Sequence, residues 1–398
     1  MTYGDLVMHF LLLHHYLLTI FVILSPSLNI WLLGYQFPET IMVFTDKQIH
    51  FLCSQKKASL LDVVKKAAKE AVGVDVVMHV KANNDDGSTQ MDSILQTIES
   101  CDSPVLGHIA REVPEGKLLE KWAEKMKSSG LQLIDITNEL ADLFAVKEAS
   151  ELTNVKKAAY LTAFVMTLFV VPKLEKVMDD TEKTILEPTK INLKLKDECV
   201  DICYPPIFQS GGNFDLRPSA SSNDDLLYYD SASVIICALG YRYNCYCANL
   251  ARTFLIDSDA TQRKAYQVLL KAQEAAIGAL KPGNKASSVY KAVVAVIEKE
   301  APELTANLTK SAGTGIGLVF RESGLILNEK NKRTFKTGTV LNVSLGFQNL
   351  QTNSNNARTQ NYALLLADTV IVTDNGHEVV TGLSTKAFKD VAYSFRQP

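Results

Sequence analysis

The stretch from Ser231 to Asp257, SASVIICALGYRYNCYCANLARTFLID, constrains this chain more than any other. Val234–Leu239 is rich in β-branched residues. Gly240 and the Arg242–Asn244 segment can reverse the chain, and Tyr246 to Ile256 reads as a returning strand. The expectation is a long β-hairpin. Two helices follow, at Thr261–Leu280 and Ser287–Glu300, the first ended by Pro282-Gly283. Strand signals return at Gly317–Phe320, Val340–Phe347, Tyr362–Leu366 and Thr369–Val372. Strands, two helices and strands again predict an α+β lobe.

The region before the hairpin reads differently. Strands are expected at Asn29–Phe37 (ending at Gly34), Ile41–Phe44, Ile49–Cys53, Asp75–Val80, Val105–Ile109 and Leu131–Ile136. Helical spacing covers Ser59–Val72, Met91–Glu99, Gly116–Ser128 and Glu139–Phe144. The alternation predicts a compact α/β lobe over 27–146. A long helix at Val146–Val177, interrupted at Pro172, opens a linker of helix and loops over 147–204, and the second lobe spans 205–398. The chain has 398 residues, 47% of them hydrophobic and 21% charged, which suffices for sizeable cores.

Residues 1–26 are atypical. No Asp, Glu, Lys or Arg occurs from Leu6 to Pro38, and Phe10–Leu24 is almost wholly apolar. No Lys or Arg precedes that run and the cleavage pattern is poor, so the expectation is an unusual start on a soluble protein. A membrane or secretory route through Phe10–Leu24 is the alternative. A net charge of −3 excludes a polyanion binder built on bulk charge. The seven cysteines are odd in number and lack zinc spacing, which predicts reduced thiols and an intracellular compartment.

Chemistry is scarce. From residue 150 onward the only histidine is His377, in a predicted turn. That removes histidine-based metal chemistry and Ser-His or Cys-His nucleophile pairs from the second lobe. In the first lobe His50 and His79 lie in apolar strands and read as structural. Lys330, Lys332, Arg333 and Lys336 form a basic run that reads as a solvated loop.

The hairpin resembles the central hairpin of the pita-bread metallopeptidases: methionine aminopeptidase, aminopeptidase P, prolidase and creatinase. Those enzymes write it roughly as Asp-Leu-Gly…Tyr…Asp-Ile-Thr-Arg-Thr, with both Asp residues on metal. Leu239-Gly240, Tyr246 and Arg252-Thr253 match, whereas Ala238 and Asn249 stand at the Asp positions. Gly313-Thr314-Gly315-Ile316-Gly317 resembles the family's Gly-His-Gly-Ile-Gly, with Thr314 at the histidine. Gly338–Gly346 and Leu366–Val370 resemble the strands that supply glutamates, and Ser344 and Ala367 stand there. The resemblance implies a peptidase scaffold with all five metal positions replaced, hence no catalysis, no metal and no cofactor. Neutral oxygens cannot offset the dehydration of a divalent ion. An active metal-dependent aminopeptidase or prolidase is the competing reading.

A narrower resemblance rests on Gln48–Leu61, Phe208–Gly212, Phe214–Ser219, Leu345–Leu350 and Ala363–Thr373. These look like the N-terminal region of the large subunit of the FACT histone chaperone, in a plant-like form that stops short of the family's later domains. It implies a nuclear, chromosomal protein acting in nucleosome reorganisation. Its partners would be core histones or nucleosomes, with replication or transcription factors. The HMG-box subunit of FACT would be reached through regions beyond this sequence. No small-molecule substrate and no membrane contact are implied. The degenerate cleft of Ala238, Asn249, Thr314, Asn342, Ser344 and Ala367 can hold an extended peptide through its backbone.

Overall fold

A computed structural model describes residues 20–23, 26–45, 47–101, 105–110, 114–179, 199–217, 219–223 and 227–394. They form two compact units, divided between Phe144 and Ala145.

The first unit is a six-stranded sheet with helices. Its strands are β1 (Ile20–Ile23), β2 (Ile41–Phe44), β3 (Gln48–Ser54), β4 (Asp75–Lys81), β5 (Val105–His108) and β6 (Gln132–Asp135), in the order β4-β3-β2-β1-β5-β6. The pairs β3/β4 and β5/β6 are parallel, each bridged by a helix, Gln55–Val72 and Lys117–Ser128. Met91, Ile94, Leu118 and Trp122 cover the sheet residues Ile41, Val43, Leu52 and Leu106.

Two readings change here. The expected strand at Asn29–Phe37 is a helix, Pro26–Leu33. Pro26 opens it, where a missing N–H costs nothing. Gly34 closes it with a left-handed φ of 73° and an amide bond to the Ile30 carbonyl at 2.8 Å. Leu28, Trp31 and Leu32 are buried at helical spacing, a period that the apolar run Ile30–Leu33 conceals. Secondly, Ile20–Ile23 of the apolar N-terminal run is β1, which pairs with both β2 and β5. The rest of Phe10–Leu24, and residues 1–19 as a whole, lie outside the described residues.

His50 and His79 stack with ring centroids 5.3 Å apart, and His50 Nδ1 lies 3.0 Å from His79 Nε2. Burial, helped by the neighbouring His79, pushes His50 down to about 4. The unfolded chain therefore takes up a proton, near pH 6.5, that the folded unit refuses. The folded pKa is depressed, so the stability His50 contributes is complete above the unfolded pKa. It is lost as pH falls from about 6.5 through about 4, by at most about 3 kcal/mol. Both tryptophans, Trp31 and Trp122, sit in this unit, so their fluorescence reports its unfolding alone. Urea midpoints are expected to fall over that pH window and to flatten in His50→Phe; an equal slope in the variant would assign the proton elsewhere.

The second unit is built on an eight-stranded sheet. Its strands β8 (Ile207–Gln209), β9 (Ser233–Leu239), β12 (Leu250–Ile256), β13 (Gly313–Gly315), β14 (Val340–Gln351) and β15 (Asn361–Thr373) run in the order β13-β14-β15-β12-β9-β8. β16 (Gly376–Val379) adds to β15 and β17 (Ala392–Tyr393) to β12. Helices Ala260–Gly278 and Ala286–Glu300 pack their Ala265, Leu269, Ala272, Val289 and Val293 into the core. Asp259 caps the first of these, its carboxylate accepting from the Gln262 amide at 2.7 Å.

The hairpin exists, but it serves two sheets. β9 and β12 pair from Ser233↔Ile256 to Leu239↔Leu250. Beyond Gly240 the tip forms β10 (Tyr241–Tyr243) and β11 (Tyr246–Cys247), which join β7 (Val200–Ile202) in a separate three-stranded sheet. Asn244 and Cys245 make the turn with φ of 45° and 70°, the positive pair that a two-residue hairpin needs.

Three further expectations are revised. The helix runs without a break from Ala149 through Asp179, with a π-helical segment at Met166–Val170. Pro172 cannot bond the Leu168 carbonyl, and the wider turn just before it takes up that misfit. Gly317–Phe320 is not a strand; β13 is Gly313–Gly315, and Gly317 turns back with its amide on the Val319 carbonyl at 3.1 Å. Tyr362–Leu366 and Thr369–Val372 are one strand, β15, which passes through the buried Asp368.

Candidate functional site

Strand register brings the six residues singled out from sequence onto one face of the large sheet. Ala238 stands opposite Ala251, Ala251 opposite Ala367, and Ala367 opposite Ser344. Cross-strand partners share a face, and so do residues two apart along a strand. A second row therefore lies beside the first: Thr314 opposite Asn342, Asn342 opposite Thr369, and Asn249 tied to Thr369. The Asn249 amide donates to Thr369 Oγ1 at 2.9 Å, and that hydroxyl donates to the Asn249 carbonyl at 3.0 Å. The first row is apolar up to Ser344, a cluster of Ala238, Ala251 and Ala367 edged by Ile207. The second is a chain of neutral hydrogen-bonding groups.

Within that second row, Tyr204 Oη donates to Asn249 Oδ1 at 2.5 Å, and Asn249 Nδ2 donates to Asn342 Oδ1 at 3.1 Å. Asn249, Asn342 and Thr314 are buried, and Ser344 is half-buried. The side-chain hydroxyls of Thr314 and Ser344 are not engaged by this network. Tyr204, Thr369 and Ala251 belong to the floor and escaped the sequence reading. Alternation would have found Thr369, two after Ala367, and Ala251, two after Asn249. Tyr204 arrives from the loop before Pro205-Pro206 and carries no such signal.

The opposite face of the same strands carries charge. Arg252, one residue on from Ala251, is buried together with Asp368, one residue on from Ala367. Arg252 Nη2 donates to Asp368 Oδ1 at 2.8 Å, and Lys386 Nζ to Asp368 Oδ2 at 2.6 Å. The guanidinium also donates to the carbonyls of Ala251, Ala367, Ser384 and Thr385. Burial opposes ionisation of Asp368, but Arg252 and Lys386 outweigh it and hold the carboxyl below its usual range. A second buried pair joins Lys147 Nζ to Glu322 Oε1 at 2.5 Å, packed on Gly317, where a Cβ would stand 2.4 Å from Lys147 Cε. Here burial outweighs Lys147 and raises the Glu322 carboxyl. Tyr246 donates to Glu151 Oε1 at 2.6 Å, which ties the hairpin tip to the helix Ala149–Val165.

Nothing in the floor suits a divalent cation. Its side chains are methyl, hydroxyl and amide, and a hard divalent ion needs anionic or imidazole donors. Among the described residues no group of three or more His, Cys, Asp and Glu is placed to hold a metal ion. His377 is exposed on β16, away from any such group, and Lys330, Lys332 and Lys336 are exposed on the loop that precedes β14.

Comparison with known proteins bears on this arrangement. Residues 24–139 match the FACT complex subunit SPT16 N-terminal lobe domain, and residues 153–374 match metallopeptidase family M24. The chain is 60% identical over 388 residues to FACT complex subunit SPT16 of Zea mays, covering 94% of this chain and 37% of that protein. It is 62% identical over 386 residues to that of Oryza sativa, covering 93% and 36%. The chain thus spans little more than a third of the curated relatives it matches. The N-terminal domain of SPT16 from Cicer arietinum superposes with a TM-score of 0.92 at 54% identity, covering 99% of this chain and 100% of that one. A prolidase from Thermococcus sibiricus superposes at 0.72 with 17% identity, covering 99% and 100%, a likeness of fold alone. The α/β lobe followed by a pita-bread lobe is therefore the architecture of this chain.

Proposed function

The chain belongs to the family of FACT complex subunit SPT16, matching its N-terminal domain, and from that premise we propose that the second unit is a non-catalytic peptide-binding module of a histone chaperone. The observation that carries this reading is the sheet face itself. A peptidase-shaped floor presents an alanine row beside Asn249, Thr314, Asn342 and Ser344, so it offers hydrogen bonds without a nucleophile, a base or metal ligands. An extended peptide can lie along such a floor through its main chain. In this reading the protein works in the nucleus on nucleosomes during transcription, replication and repair. Core histones are its ligands, and replication or transcription factors are further partners. The HMG-box subunit is met through parts of the family beyond this chain.

Isothermal titration with core-histone tail peptides tests the floor. Ser344→Ala and Asn249→Ala are each expected to weaken binding about fivefold, the worth of one neutral hydrogen bond of about 1 kcal/mol. Ser344→Ala is the cleaner probe, because Asn249 also anchors Tyr204. Unchanged affinity in both variants would move the histone contact off this face. The non-catalytic part is tested separately: turnover of a proline-containing peptide, with stoichiometric metal, would overturn it.

A further inference from the structure

Four cysteines gather around the small three-stranded sheet. Cys199 and Cys203 flank β7, Cys245 is in the β10–β11 turn, and Cys247 is on β11; Cys203, Cys245 and Cys247 are free thiols. Two of them meet because of Gly240. A Cβ at that position would stand 2.7 Å from the Ala248 carbonyl oxygen and 3.4 Å from Cys203 Cβ. With only hydrogen there, the Cys203 side chain lies across the bare backbone. Its amide donates to the Gly240 carbonyl at 2.9 Å, and its Sγ sits 3.9 Å from the Ala248 carbonyl oxygen, next in sequence to Cys247. Cys203 packs against the buried cluster that contains Cys247, Tyr246 and Ile316. Cys247 is buried and Cys203 is half-buried, so solvent reaches the pair from the Cys203 side.

Arg242 completes the group. It stands in register between Asp201 and Cys247, and its Nη2 approaches the Cys203 carbonyl at 3.5 Å. Its Nε is buried with no hydrogen-bond partner, a donor left over beside two thiols. The Cys247 thiol favours the Cys203 thiolate, burial opposes it, and Arg242 adds to the first effect, so Cys203 ionises more readily than a free thiol. The same contact, with burial, keeps Cys247 protonated.

We propose that Cys203 and Cys247 are a peroxide-responsive thiol pair, Cys203 attacking and Cys247 resolving. The Cys203 thiolate attacks one oxygen of a hydroperoxide and the O–O bond breaks. The second oxygen leaves with the electron pair and takes a proton, and Cys203 becomes the sulfenic acid. Cys247 sulfur then attacks Cys203 sulfur, the S–O bond breaks, and the thiol proton leaves with the hydroxide as water. Two thiols and one hydroperoxide thus yield one disulfide, one water and one water or alcohol. The bond forms one residue from Tyr204, whose hydroxyl holds Asn249 in the sheet floor.

The purified chain is treated with hydrogen peroxide, alkylated, and digested without reduction. Trypsin separates the two cysteines at Arg242, and peptide fragmentation distinguishes Cys203 from Cys199 and Cys237, and Cys247 from Cys245. The expected product has lost two hydrogens, with a Cys203–Cys247 link as the main species. In Cys247→Ser the sulfenic acid persists, so dimedone labelling of Cys203 is expected to rise about tenfold over the unmutated chain. A link from Cys203 to Cys199 or Cys245 would overturn the proposal. So would equal dimedone labelling of Cys247 in Cys203→Ser, or no link at all. If a serine variant loses its circular dichroism signature, the link map of the unmutated chain decides alone.

Discussion

Replacing Arg252 with alanine is expected to cost the second unit about 3–5 kcal/mol, a large part of the stability of a typical domain. The loss has two sources. Asp368 would keep one cation, the partly exposed Lys386, in a site with no access to water, and four backbone carbonyls would lose their donor. The transition to follow is the calorimetric one that leaves tryptophan fluorescence unchanged, since both tryptophans lie in the other unit. A cycle with Asp368→Asn should show coupling of about 2 kcal/mol between the two positions. The pH sign also follows. The folded pKa of Asp368 is depressed, so its contribution is present above the unfolded carboxylate pKa and is lost as pH falls through the folded one. Additive single-mutant costs, or a variant as stable as the parent, would show that the charge network is dispensable.

Removing Lys147 is expected to be about as costly at alkaline pH and much milder in acid. The difference lies in Glu322, whose carboxyl is already raised by burial with its lysine in place. In Lys147→Met nothing opposes that burial, and the carboxyl can escape by taking a proton. A folded pKa raised above the unfolded one gives stability that is full below the unfolded pKa and falls as pH climbs through the folded value. Urea unfolding of Lys147→Met should thus lose about 3 kcal/mol or more at pH 8 and clearly less near pH 5. Lys147→Met combined with Glu322→Gln should lose this alkaline deficit, leaving the pH dependence of the other groups unchanged. A deficit in Lys147→Met that is the same at both pH values would point to lost packing on Gly317 instead of an orphaned charge.

These two pairs also mark where the sequence could be read and where it could not. The hairpin was legible because β-branched arms around Gly240 leave the chain few alternatives. The floor positions came from the resemblance to the peptidase motifs, and strand register places Ala238, Asn249, Thr314, Asn342, Ser344 and Ala367 on one face. The strand signals for β15 come as two runs, Tyr362–Leu366 and Thr369–Val372, with Asp368 between them. Only the fold supplies the guanidinium from β12 and the Lys386 ammonium that let Asp368 lie in the core. Tyr204 was invisible for a related reason, since its partner Asn249 lies 45 residues further along the chain. The helix at Pro26–Leu33 was hidden by composition: Ile30–Leu33 is continuously apolar, and so short a run has no periodicity that separates a helix from a strand.

The floor of alanine, asparagine, threonine and serine has one more consequence, in thermochemistry. None of these side chains gains or loses a proton between acid and alkaline conditions, and burial holds the Tyr204 hydroxyl protonated well above its ordinary range. A ligand that settles on this face and touches nothing else therefore displaces no protons from the protein. Its binding heat would be the same in phosphate, whose ionisation enthalpy is small, as in Tris, whose ionisation enthalpy is large. A histone contact that also engages carboxylates or histidines elsewhere would lose that indifference, so the buffer itself becomes a probe of whether a ligand sits on the floor or beside it.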